Sequence, residues 1–189
     1  MAILESVELS RYFGGLPAVD GLSFGVEPGE ILGVIGPNGA GKTTLLNLVS
    51  GLLPLSQGEI RFQGQVISGR PPHTIAAAGI ARTFQIVKPL RGLTVRENVA
   101  LGAMFGRSGR RMTGDARARA REVLDVVGLT ARADSAVTAL TIADLKRLEL
   151  GRAQLGQQLA LMQRAANGAL QIGLVDRVTG ATDGVEHRA

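Results

Sequence analysis

Apolar and polar residues alternate over residues 3–9, with Ile3, Val7 and Leu9 apolar, which predicts a strand. Gly14-Gly15 marks a turn, and a second strand is expected near residues 21–26. After a turn at Pro28-Gly29, the run Ile31-Leu-Gly-Val-Ile35 reads as the core of a strand over residues 30–35. From residue 42 the period changes. Leu45, Leu46, Leu48 and Val49 mark the core side of a helix over 42–51, ended by Gly51. Short strands are expected at 58–62 and 80–84, with Arg70-Pro-Pro72 as a loop. Thr94-Val-Arg-Glu97 and Thr141-Ile-Ala-Asp144 each place a hydroxyl three residues before an acid, the pattern of a capping box. They predict helices from 94 to about 103 and from 141 to at least 153. Another helix is expected over 115–127, ended by Gly128, after a flexible loop at 106–111. The order is a β-rich start, a strand–loop–helix unit and then helices. That is an α/β core with a helical insertion.

Composition adds limits. The chain has 189 residues, enough for one domain with a real core. It has no cysteine, which excludes disulfides and thiolate metal sites and fits a reducing compartment. The N-terminus carries acids and alternates like a strand, so no signal peptide is expected. No segment approaches the ~20 apolar residues of a membrane span, so a soluble or peripheral protein is expected. Net charge is +5, nearly all from arginine, with many arginines between Arg107 and Arg121. A nucleic-acid or anionic-membrane patch is one reading of that cluster. Only Phe105 lies near it, so bases have little to stack on. A solvated helix face is the favoured reading, and no specific nucleic acid is expected as a partner. His73 has no metal-ligand companions, and His187 reads as a solvated tail residue.

The candidate chemistry lies in Gly36-Pro37-Asn38-Gly39-Ala40-Gly41-Lys42-Thr43-Thr44, a P-loop string with a strand before it and a helix after it. Gly36, Gly39 and Gly41 let the backbone turn tightly and approach an anion without a Cβ in the way. Successive N–H groups then point at phosphate oxygens, and the helix N-terminus adds its free donors and positive dipole end. Lys42 is expected to bridge the β- and γ-phosphates of a nucleoside triphosphate, and the Thr43 hydroxyl to ligate Mg²⁺.

Further motifs stand in order around the loop. Arg11-Tyr-Phe-Gly-Gly15 and Pro28-Gly-Glu30 precede it; Arg82-Thr-Phe-Gln85 and Leu140-Thr-Ile-Ala-Asp-Leu-Lys-Arg-Leu-Glu-Leu150 follow. Together they resemble the ATP-binding subunits of ABC transporters over residues 3–153. Phe13 to Asp20, Ala81 to Gln85 and Leu93 to Asn98 look like the subgroup serving branched-chain amino acid importers. The resemblance implies an ABC nucleotide-binding domain over 1–153, with a helical subdomain over about 86–150 and a divergent tail over 154–189. It implies ATP and Mg²⁺ as cofactors. Its partners would be membrane permease subunits and a second ATP-binding subunit, in a homo- or heterodimer. The place implied is cytoplasmic, peripheral on the inner face of the cell membrane. By the same resemblance Phe13 stacks on adenine, Tyr12 being the weaker candidate, and Gln85 reaches Mg²⁺ and the attacking water. Thr141, Ile142, Ala143 and Asp144 occupy the place of the signature, usually Leu-Ser-Gly-Gly-Gln, that meets the partner subunit's ATP. Thr141 keeps the hydroxyl, while Ile142 adds bulk and Asp144 adds negative charge, so the signature is degenerate.

After Ala153 the motifs stop. The family continues with four aliphatics and Asp-Glu on a strand, then a switch His. At that distance this chain has Leu159-Ala-Leu-Met-Gln-Arg164, with no acid. Leu170 to Asp176 is an imperfect substitute, broken by Gln171 and Gly173, with Arg177 where Glu is needed. Asp176 is therefore a weak Mg²⁺ candidate. The chain is expected to leave the family frame, or to be truncated, between about Ala153 and Gln158, with core strands missing or altered and the P-loop strand left short of neighbours. Three functions follow: an ATPase subunit driving import of branched-chain or similar amino acids; a hydrolysis-deficient nucleotide-binding fragment or regulatory half-site; and, more weakly, a basic nucleic-acid binder.

Overall fold

The computed structural model describes residues 1–84, 88–105, 113–155, 159–163 and 170–174. β1 (Leu4–Phe13) and β2 (Leu16–Val26) form a hairpin turning at Gly14-Gly15. Both strands run further than the alternation predicts. β1 contains a bulge: Glu8 has φ 48° and the pairing register slips between Ser6 and Leu9. The extra residue inverts the pleat, so Leu4 and Leu9 are both buried while Val7 is exposed. β3 (Ile31–Val34) leads to the glycine-rich loop and α1 (Lys42–Val49) leaves it. β4 (Gln57–Phe62) and β5 (Gln65–Val66) complete an antiparallel sheet in the order β2-β1-β4-β5.

The Arg70-Pro-Pro72 segment is not wholly a loop. Pro72 begins α2 (Pro72–Ala78), where a missing N–H costs nothing, and left-handed Gly79 ends it. β6 (Ile80–Arg82) follows. α3 (Val95–Phe105), α4 (Thr113–Val126) and α5 (Ile142–Gln154) come next. The capping box at α3 forms as predicted: the Thr94 N–H and hydroxyl donate to the Glu97 carboxylate, and the Glu97 N–H donates to Thr94 Oγ1. The N–H groups of Val95 and Arg96 donate to the carbonyls of Ser135 and Ala133, so the first turn of α3 keeps few free donors. α4 ends at left-handed Gly128, with the Leu129 N–H bonded to Leu124 O.

The chain then returns to the core. β7 (Leu159–Gln163) and β8 (Leu170–Leu174) join β3 and β6 in a second sheet, ordered β3-β8-β7-β6. β7 runs parallel to β6, and β8 runs antiparallel to both β7 and β3. The expectation of missing neighbours for β3 is thus corrected on one side: β8 pairs with it, in the reverse direction. On the other side no strand pairs with β3 among the described residues, and Ile31 is 64% exposed.

Two cores result. One packs Leu45, Leu46, Leu48 and Val49 of α1 with Leu4, Leu9 and Val26 of the hairpin, Ile60 and Phe62 of β4, Ile75 of α2 and Ile80 of β6. The other joins α3, α4 and α5 through Val95, Val99, Ala120, Val123, Leu124 and Leu148. α3 and α5 approach closely at Gly102, where a Cβ would stand 2.7 Å from Arg152 O. Gly102→Ala is expected to push α3 from α5 and lower stability by about 1–3 kcal/mol in urea unfolding. Glu97 gives a pH signature. Its carboxyl is held below the ordinary carboxylate value by the Thr94 backbone N–H first and the Thr94 hydroxyl second. That contribution is present above the unfolded pKa and is lost as pH falls through the depressed folded value. Glu97→Gln should therefore flatten the stability profile below about pH 5, read by urea unfolding at several pH values.

Candidate functional site

The loop at residues 36–41 joins β3 to α1 and is held from three sides. The Ala40 N–H donates to Pro37 O at 3.2 Å, and the Leu45 N–H donates to Gly41 O at 2.8 Å. Lys42 Nζ donates to the carbonyls of Gly36 and Pro37, at 2.5 and 2.6 Å. The ammonium thus folds back over the loop that it follows. Gly41 caps α1 in the left-handed region at φ 79°, and a Cβ there would lie 2.0 Å from Ala18 O. No side chain fits that position, so the loop backbone rests directly on β2. Gly39 is also left-handed, at φ 86°, yet a Cβ there would meet nothing within 4 Å.

A groove of about 460 Å³ opens beside the loop, between Ala18, Val19 and Asp20 on one wall and Gly39 to Lys42 on the other. It offers backbone donors, a helix N-terminus and one ammonium, a set that fits an anionic phosphate chain. The metal donor set is poorer. Thr43 is exposed and supplies one hydroxyl. Asp20 lies on the β2 wall, and its carboxylate accepts a hydrogen bond from the Tyr12 hydroxyl at 2.6 Å. Among the described residues there is no group of three or more His, Asp or Glu able to hold a metal ion. Among the described residues, the loop therefore fits a nucleotide's phosphates, and it offers Mg²⁺ the Thr43 hydroxyl without a cluster of acids beside it.

The other expected site residues are spread out. Phe13 stands at the end of β1, 44% exposed, with the Arg11 guanidinium 4.6 Å from its ring centroid, and it does not line the groove. Tyr12 is tied to Asp20, the bond that raises its pKa above the ordinary tyrosine value. Thr141 caps α5 as expected, but its hydroxyl proton is already engaged. The hydroxyl donates to the Asp144 carboxylate at 2.8 Å and accepts from the Asp144 N–H at 3.1 Å, while Asp144 lies 3.6 Å from Arg147. Ile142 is 81% exposed, and Ala143 is exposed beside it. Gln85, Asp176 and His187 lie outside the described residues. β8 ends beside Ile31, at the end of β3 remote from the loop.

Three polar residues that sequence reasoning gave no role tie neighbouring elements and loops together. Arg82 Nη1 donates to Asn47 Oδ1 and to Ser50 Oγ, fixing β6 to the end of α1. Glu149 on α5 accepts the Phe84 N–H, and Asn98, fully buried, bonds Leu90 N–H and the carbonyls of Leu90, Leu93 and Thr94. A buried carboxylate and a buried amide stand out in an apolar helix pattern, but their partners are distant or irregular backbone groups that no spacing announces. Between the two cores lies a cleft of about 630 Å³, walled by Leu52, Ile75, Phe84 and Leu101, with Arg82 and Arg152 at its edge. Burial pushes both guanidinium groups below the ordinary arginine value, and Glu149 partly offsets this at Arg152.

The ABC transporter family profile matches residues 19–162, carrying the likeness past Ala153 and into β7. Among curated proteins, the "Probable branched-chain amino acid transport ATP-binding protein LivG" of Archaeoglobus fulgidus is 40% identical over 164 residues, which is 82% of this chain and 64% of that protein. The high-affinity branched-chain amino acid transport ATP-binding protein BraF of Pseudomonas aeruginosa is 36% identical over 172 residues, 85% of this chain and 68% of that protein. Among solved structures, the ADP conformation of MJ1267, an ATP-binding cassette of an ABC transporter, superposes with a TM-score of 0.73 at 30% identity, covering 89% of this chain and 70% of that one. The chain thus spans about two thirds of the length of the relatives it matches.

The two left-handed glycines separate conformation from contact. Gly41→Ala should unseat the loop from β2 and weaken binding of a fluorescent nucleotide at least about tenfold, while Gly39→Ala should cost stability by only about 1 kcal/mol. Nucleotide titration and urea unfolding of both variants read the difference.

Proposed function

This chain belongs to the ABC transporter family, and on that premise we propose that it is an ATP-binding subunit of a branched-chain or similar amino acid importer. The observation that carries the reading is the loop between β3 and α1, seated on β2 at a position only glycine can occupy. Its N–H groups and the α1 N-terminus hold the β- and γ-phosphates. Lys42 exchanges its bonds to Gly36 and Pro37 for phosphate oxygens, so its charge is already stationed at the mouth of the loop. Phe13, on the hairpin beyond the groove, supplies the surface for adenine; Arg11 shares that ring.

A second ATP-binding subunit and membrane permease subunits complete the assembly. The apolar cleft between the two cores is a recess of a size to take a helical turn or two from a permease. The likeness to transporter ATP-binding proteins supports a peripheral place on the inner face of the cell membrane. The degenerate signature supports a weak trans contact: the Thr141 hydroxyl is spent on Asp144, and the Asp144 charge opposes a phosphate.

The donor set also favours a second reading, a nucleotide-binding half-site that does not hydrolyse. Lys42→Ala tests the common ground and the difference together. ATP affinity should fall at least about tenfold in the variant, a loss typical of deleting a charge-assisted phosphate contact. Unchanged affinity would sink both readings. Phosphate release more than about tenfold above the Lys42→Ala control marks the coupled ATPase, and a smaller excess marks the half-site.

A further inference from the structure

The topology of the second sheet bears on the metal. β3 and β7 run in the same direction with β8 reversed between them, and Val34, Leu170 and Gln163 fall in one register row. The loop leaves β3 directly after Val34, so β7 ends at Gln163 on the same edge of the sheet as the loop. Two strand spacings separate the backbones, about 10 Å. Ligands of α/β sheets gather outside the carboxyl ends of parallel strands. In P-loop enzymes a carboxylate brought there by a strand holds Mg²⁺ together with the loop hydroxyl. Mg²⁺ sheds water reluctantly, and its sites are built on carboxylates and phosphates. At the last residue of β7, in the register row of Val34, this chain has Gln163, an uncharged amide residue.

The geometry points to a nucleotide site in which no strand carboxylate among the described residues holds Mg²⁺, with Gln163 as the residue that sets this preference. The inference rests on the nucleotide reading above and goes beyond it by assigning the metal dependence to one strand end. Phosphate affinity then comes from the loop N–H groups, the α1 N-terminus and Lys42, none of which needs the metal. A bound Mg²⁺ would be carried by the nucleotide and one threonine hydroxyl, so it adds little to the affinity. Restoring a carboxylate at the end of β7 should add a ligand that only the metal complex uses.

The test is calorimetric titration of ATP into the whole chain, in excess Mg²⁺ and in excess EDTA. Wild-type affinity should differ by about threefold or less between the two conditions. In Gln163→Asp the Mg²⁺ condition should become tighter than the EDTA condition by about tenfold or more. Gln163→Glu offers a longer acid should Asp disturb the strand end. A wild-type Mg²⁺ dependence above about threefold overturns the inference, as does an unaltered Mg²⁺ response in folded acid variants. Absence of ATP binding in both conditions, equal to Lys42→Ala, overturns the nucleotide reading and this inference with it.

Discussion

Helix α1 has to satisfy two opposed demands. It buries Leu45, Leu46, Leu48 and Val49 against the hairpin, β4 and β6, each worth about 1.5–3 kcal/mol of apolar transfer. On the proposed nucleotide reading its first turn has to stay accessible, because the N–H groups of a helix N-terminus are the ones that meet an anion. The Gly41 contact with Ala18 reconciles the two. It anchors the loop through backbone alone, so that no side chain occupies the space beside the helix end. The groove, the position of Lys42 and the direction in which β3 enters all follow from how α1 is wedged between the sheets.

Partly or fully buried polar groups hold the first core together and join the second to it. Arg82 of β6 reaches Asn47 and Ser50 at the end of α1, inside the first core, and Glu149 of α5 reaches across to the Phe84 N–H just beyond β6. Buried polar groups of this kind are costly when unmatched, so they fix geometry even where they add little net stability. They place the α5 N-terminus, with its closed Thr141–Asp144 cap, relative to the helix that carries the loop. The result is a chain whose phosphate loop has the geometry of a binding site and whose signature end has the geometry of an ordinary helix cap.

The second sheet is built differently from a parallel one. β8 enters between β3 and β7 in reverse, giving β3 hydrogen-bond partners on one side. β8 ends beside Ile31, at the end of β3 remote from the loop, while β7, whose residues Leu159 to Gln163 include no acid, ends on the loop side. The other edge of β3, with Ile31 exposed, has no strand among the described residues.

Local chemistry made much of this legible in the amino-acid sequence. The loop, its glycines, the two capping boxes, Gly51 and Gly128 as helix ends, and the Gly14-Gly15 turn are short-range features whose physics lies within a few residues of each signal. The same locality explains the misses. The bulge at Glu8 shifts which β1 residues face inward, and alternation alone cannot show an inserted residue. α2 was obscured by two prolines that read as a loop, although Pro at a first helical position is harmless. Tertiary structure alone decided that Gly41, not Gly39, carries the contact with β2, that the Thr141 hydroxyl is already spent, and that β8 runs backward. Each depends on which distant backbone lies opposite, and residue type and spacing do not encode that.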